Sequence, residues 1–208
     1  MKNIDYSLYL VTNNSENEDK FLKTIEEAIK EGVTIIQIRE KDLSTLNFFK
    51  LATKVKKITS KYKIPLIVND RIDIALAIDA DGVHIGQEDM PADIARKLIG
   101  DKVLGVSAST VEEAQKAEKD GADYIGSGAV FPTATKDDAP SITKNELKKI
   151  TDSISIPTVA IGGISIENIK ELKNTGIQGI SVVSAIMESN NPKIASKNLK
   201  NEFKKIMN

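Results

Sequence analysis

One phrase, repeated through the chain, constrains the fold more than any other feature. It is the polar end of a helix, then a glycine, then a short run of β-formers. It reads KEGVTII at 30–36, DADGVHIG at 79–86, KDGADYIGSG at 119–128 and NTGIQGISVV at 174–183. A glycine past a helix end and β-branched residues after it mark a helix-to-strand junction. Junctions recurring at such intervals require strands and helices to alternate along the whole chain.

The segments between them fit that alternation. Strands are expected at Tyr6–Thr12 (ended by Asn13-Asn14), Thr34–Arg39, Ile64–Val68 and Gly82–Ile85. Four more follow at Val103–Val106, Tyr124–Gly126, Thr158–Ile161 and Gly179–Val183. Phe21, Leu22, Ile25, Ala28 and Ile29 recur at helical spacing, as do Leu46, Phe49, Ala52, Val55 and Ile58 behind a cap at Ser44. Shorter helices are expected over Ile72–Ile78, from Pro91 as first helical residue, after Thr110 with Glu113 in a capping box, from Lys144 to about Ile150, and over Ile166–Thr175. The final amphipathic helix runs from Pro192 to Met207. Eight strands alternating with helices in 208 residues predict a (β/α)8 TIM barrel, a single domain over 1–208. An open doubly wound sheet competes, but no G-x-G-x-x-G turn follows the first strand. The 16 residues from Ser127 to Ile142 show no period, and a connection that long at a barrel mouth is expected to act as a substrate lid.

Composition removes several chemistries. Lys and Arg total 29 against 30 Asp and Glu, so no global field draws nucleic acid or an anionic membrane. There is no cysteine, which excludes disulfides and thiolate chemistry. The N-terminus lacks the apolar core of a signal peptide and no apolar run is of membrane-spanning length, so a cytoplasmic location is expected. Apolar positions on the last helix fit either a homo-oligomer contact or closure of the barrel.

Barrel chemistry lies at the C-terminal ends of strands. Strand two ends in Gln37, Arg39 and Lys41, which alternate onto one side; a cation cluster there is either an anion site or a set of surface ion pairs. Strands three and four deliver Asp70 and Asp89. Neighbouring strands lie about 4.8 Å apart, so the two carboxylates can share a Mg²⁺ ion; each is also placed to cap the helix after it. Ser107 ends strand five. Strand seven ends in Gly162-Gly163 and strand eight in Val183-Ser184, the positions that hold a phosphate in many barrels. Thr133, Thr135 and Lys136 lie in the long loop. His84, the single histidine, lies within a strand and is expected to be packed and hydrogen-bonded rather than catalytic. Two anion pockets on one rim imply two phosphorylated substrates or one long one.

QIREK at 37–41, NDR at 69–71, DGVHIGQED at 81–89, GVSAST at 105–110, FPTATK at 131–136, GGI at 162–164 and VVSAI at 182–186 together resemble the thiamine-phosphate synthase family, in the family's order and over most of the chain. The resemblance implies a barrel that joins 4-amino-2-methyl-5-(diphosphooxymethyl)pyrimidine to a thiazole phosphate, releasing diphosphate. It implies that Gln37, Ile38, Arg39, Glu40, Lys41, Asn69, Ser107 and Lys136 contact the pyrimidine diphosphate. Arg39, Lys41, Lys136 and Ser107 would form the catalytic set, and Asp70 and Asp89 would hold Mg²⁺. Thr133, Ala134, Thr135, Gly163, Val183 and Ser184 would hold the thiazole phosphate. Thiazole tautomerases of the same fold are the nearest alternative. They are similar but use a histidine after strand five, where this chain has Ser107-Ala108-Ser109. A non-catalytic binder of thiamine precursors is a second alternative, disfavoured by retention of the leaving-group residues.

Overall fold

The computed structural model describes residues 4–13, 17–133 and 141–207. Among these, eight parallel strands close a barrel in chain order: β1 Leu8–Val11, β2 Ile35–Ile38, β3 Leu66–Asn69, β4 Gly82–Ile85, β5 Val103–Ser107, β6 Tyr124–Ser127, β7 Thr158–Ile161 and β8 Gly179–Val182. β8 pairs with β1, Leu10 lying opposite Val182, which closes the ring. The helices are α1 Glu18–Lys30, α2 Thr45–Tyr62, α3 Ile72–Ala77, α4 Ala92–Ile99, α5 Val111–Lys119, α6 Lys144–Ser153, α7 Ser184–Met187 and α8 Pro192–Met207. No helix among the described residues is long and apolar enough to cross a membrane.

Strand residues alternate between two cores, as period-2 side chains on a closed sheet must. Leu8, Leu10, Ile36, Ile38, Leu66 and Val68 face outward and pack beneath the helices. Tyr9, Val11, Ile35, Ile67, Val103, Tyr124 and Val159 fill the inside, with Tyr6 against them. Each fully buried Leu or Ile of the outer layer contributes about 1.5–3 kcal/mol relative to exposure.

The repeated phrase proves to be a four-fold clamp at the base of the barrel. Before each even strand stands a residue in the left-handed region: Gly32 (φ 116°), Asp79 (φ 49°), Gly121 (φ 96°) and Gly176 (φ 80°). A buried apolar residue follows: Val33, Ala80, Ala122 or Ile177. Then comes a polar one, Thr34, Asp81, Asp123 or Gln178. Its backbone N–H donates to the carbonyl of Leu8, Leu66, Leu104 or Thr158, at 2.8, 2.9, 2.7 and 2.9 Å respectively. Its side-chain oxygen accepts from the N–H of that same residue, at 3.2, 3.0, 2.8 and 2.7 Å. The N–H and C=O of one buried residue near each odd strand's lower end are thus both satisfied by a single partner residue. In the second repeat the left-handed position belongs to Asp79, not to the Gly82 that the sequence pattern aligned.

Several element ends differ from expectation. Over 166–175 only a single 3-10 turn, Ile169–Leu172, forms. Ser165 and Asn168 take up backbone groups at its start, Ser165 N–H donating to Asn168 Oδ1 at 2.9 Å and Asn168 Nδ2 to Gly163 O at 2.8 Å. Pro91 is the N-cap of α4 rather than its first helical residue. Thr110 caps α5 through Glu113 N–H, but the Glu113 carboxylate reaches back to Ser109 N–H at 2.6 Å, one residue too far for a capping box. A capping box does occur at Thr143 and Glu146, opening α6.

Candidate active site

The C-terminal ends of the strands surround a cavity of about 220 Å³. Gln37, Arg39, Lys41, Asn69, Asp70, Asp89, Ser107, Thr133, Gly163, Val183 and Ser184 all line it, so most of the residues singled out from the sequence meet in one space. The Ile38 side chain instead points into the outer core. Glu40 does not line the cavity; burial raises its carboxyl above the usual range, Asp42 adds to this and Arg39 opposes it. Ala134, Thr135 and Lys136 lie outside the described residues. Arg71, although next to Asp70, turns away to Asp73 (2.8 and 2.6 Å) and Thr45 (3.0 Å).

One side of the mouth is charged. Asp70 takes the left-handed conformation at φ 58°, with its N–H donating to His84 O at 2.8 Å, an anchor from β4 on the residue that ends β3's turn. Its carboxylate pairs with Lys41 and lies within hydrogen-bonding reach of Asp89. Burial raises the Asp70 pKa first; Lys41 pulls it down and Asp89 pushes it up, and the net direction is upward. Asp89 accepts from Gly86 N–H at 2.7 Å. Neither residue caps a helix: the N-cap positions of α3 and α4 are Arg71 and Pro91, and neither helix has a side-chain cap. The two acids are therefore free of the bland role their spacing allowed. Among the described residues no group of three or more His, Cys, Asp or Glu side chains is placed to hold a metal ion; Asp70 and Asp89 are the two carboxylates that meet here.

The opposite side is built from backbone. Phe131 N–H donates to Gly162 O at 3.1 Å and Val130 N–H to Ile161 O at 3.0 Å, tying the start of the long loop to the end of β7. Ile142 N–H returns to Ala129 O at 2.9 Å and closes the loop's base. A Cβ on Gly163 would sit 2.3 Å from Pro132 O, so this contact requires glycine. Ser184 begins α7, with Val183 before it.

The cavity also contains residues that sequence reasoning passed over. Tyr9, Tyr124 and Ser181 line it, and so does His84. His84 is hydrogen-bonded, as expected, yet it faces the cavity. The available signal was strand parity: Tyr9, Gln37, His84 and Ser107 all occupy inward positions.

The sequence of residues 8–186 matches the family described as thiamine monophosphate synthase. A thiamine-phosphate synthase of Methanobrevibacter smithii is 66% identical over 205 residues, covering 98% of each chain. One from Clostridium acetobutylicum is 58% identical over 191 residues, covering 91% of this chain and 90% of that one. Among solved structures, thiamine phosphate pyrophosphorylase from Pyrococcus furiosus superposes with a TM-score of 0.88 at 37% identity, covering 98% of both chains. 3-Hexulose-6-phosphate synthase, at 17% identity and a TM-score of 0.69, shares the fold.

Proposed function

The chain belongs to the thiamine monophosphate synthase family, and we propose that it is the transferase that joins the pyrimidine diphosphate to thiazole phosphate, giving thiamine monophosphate and diphosphate. The observation that carries this reading is the division of one cavity into two unlike halves. Arg39, Lys41, Asp70 and Asp89 follow β2, β3 and β4, whereas Thr133 follows β6 and Gly163, Val183 and Ser184 follow β7 and β8, across the closed ring; all line one cavity.

The bond that breaks joins the pyrimidine methylene to the diphosphate oxygen, and its electron pair leaves with diphosphate. The thiazole nitrogen supplies the pair for the new carbon–nitrogen bond. That nitrogen carries no proton, so the chain needs no general base. The electron-rich aminopyrimidine supports the cationic methylene, and the protein's task is to hold both partners and stabilise the leaving group. Arg39 and Lys41 bring positive charge to the diphosphate, and Ser107 and Asn69 hydrogen-bond to it. Lys136 belongs to the same set by the family motif. Asp70 and Asp89 would hold Mg²⁺, whose chemistry is to offset charge developing on diphosphate. Thr133, Ala134, Thr135, Gly163, Val183 and Ser184 fix the thiazole phosphate so that its ring nitrogen faces the methylene.

Incubating the protein with both substrates and Mg²⁺ tests the reading. Diphosphate release with stoichiometric thiamine phosphate is expected, and Arg39→Ala or Asp89→Ala should lower kcat by about 10²–10³ with the fold intact. Wild-type turnover in either variant, or thiazole isomerisation without condensation, would remove the assignment.

A further inference from the structure

Along the wall of the cavity, five side chains from five strands form one continuous hydrogen-bonded line. Gln37 Nε2 donates to Tyr9 Oη at 2.9 Å, and Tyr9 Oη lies 2.8 Å from Tyr124 Oη. Tyr124 Oη lies 2.9 Å from His84 Nδ1, and His84 Nε2 lies 2.9 Å from Ser107 Oγ. The sequence makes room for it: a Cβ on Gly105 would sit 2.2 Å from the Tyr124 ring, and one on Gly126 would sit 3.0 Å from His84.

We propose that this line is a proton-ordering relay, in which Tyr124 and His84 are positioning residues that make Ser107 a hydrogen-bond donor to the substrate. The order follows from counting protons. Tyr9 oxygen receives the Gln37 N–H, so the Tyr9 proton goes to Tyr124. Tyr124 receives that proton and gives its own to His84 Nδ1. An imidazole that accepts at Nδ1 carries its hydrogen on Nε2, and here that hydrogen meets Ser107 Oγ. Ser107 Oγ, which lines the cavity, then keeps its own proton for a ligand there. Burial keeps both phenols protonated, raising Tyr9 and Tyr124 above the usual tyrosine range, so each gives one proton. Run the other way, Ser107 would spend its proton on His84 and turn lone pairs towards an anionic ligand. The ordered line therefore matches Ser107 to an acceptor oxygen, such as one on diphosphate, and each link polarises the next.

The role of Ser107 towards substrate rests on the synthase reading; the proton order does not. His84 is the only histidine, so a long-range ¹H–¹⁵N spectrum of the labelled full chain reads one imidazole. A neutral ring protonated at Nε2 is expected; a ring protonated at Nδ1, or an imidazolium, overturns the relay. Tyr124→Phe keeps the ring that packs 5.0 Å from Tyr6 and 5.9 Å from Tyr9 but removes the hydroxyl. It should leave His84 sampling both tautomers and lower kcat/KM for the pyrimidine diphosphate about tenfold, with KM for thiazole phosphate unchanged. Tyr9→Phe, which cuts the link to Gln37, should release the tautomer as well. An unchanged ¹⁵N pattern in the folded Tyr124→Phe or Tyr9→Phe protein overturns the proposal. If the wild type releases no diphosphate, the synthase reading fails while the wild-type spectrum still decides the relay.

Discussion

Asp70 combines a left-handed backbone with a carboxylate set between Lys41 and Asp89, and its sequence neighbours say nothing of either fact. Spacing alone made it a helix cap; the turn that ends β3 instead aims it across the rim. Its pKa lies above the ordinary 3.8, through burial and the facing acid. The folded protein therefore binds this proton more tightly than the unfolded chain, and stability falls as pH rises from 3.8 through the raised folded value. Asp70→Asn should be more stable than wild type at pH 7, with the advantage lost below the unfolded value; urea midpoints at a series of pH values check this. Millimolar Mg²⁺ should raise the wild-type thermal midpoint more than that of Asp70→Asn. Ser181 is the second residue to test. Its buried hydroxyl has no hydrogen-bond partner among the described residues, and such a group costs about 1 kcal/mol or more. Ser181→Ala should stabilise the free protein by about that amount in chemical denaturation. Tyr9 and Tyr124 were illegible as a pair: they look like ordinary strand residues and lie 115 positions apart.

Among the elements, the strands were legible because both of their faces are apolar or ordered by parity, and the long amphipathic helices because their buried stripe is wide. The segment 166–175 was not, since Ser165 and Asn168 divert its backbone hydrogen bonds into a turn after Ile164. The clamps were half legible. The glycines marked them, but which polar residue reaches back to the neighbouring strand depends on register. Asp81 is the sharpest case: Oδ2 accepts from Leu66 N–H at 3.0 Å and from Lys56 Nζ at 2.8 Å. Asp81→Ala leaves a partly buried strand N–H unpaired and should destabilise the protein by about 1–3 kcal/mol in equilibrium unfolding. Asp81→Asn, which keeps the accepting oxygen, should recover part of that loss.

For the molecule as a whole, the motif order was enough to place two opposed sets of residues on one rim, because a closed barrel in chain order leaves little choice of neighbours. It was not enough for the line beneath the rim, which crosses the barrel from β2 to β5 through side chains of unremarkable type. The clamps join β1 to β2, β3 to β4, β5 to β6 and β7 to β8, so each begins and ends inside one pair of strands. That makes the strand pair a natural unit of recombination. A crossover placed between β2 and β3, or between β4 and β5, keeps this chain's clamps whole, whereas one placed between β3 and β4 splits one. Chimeras made with the Pyrococcus furiosus barrel should fold in higher yield when their junctions respect the pairs, and soluble expression across a crossover library would measure the difference.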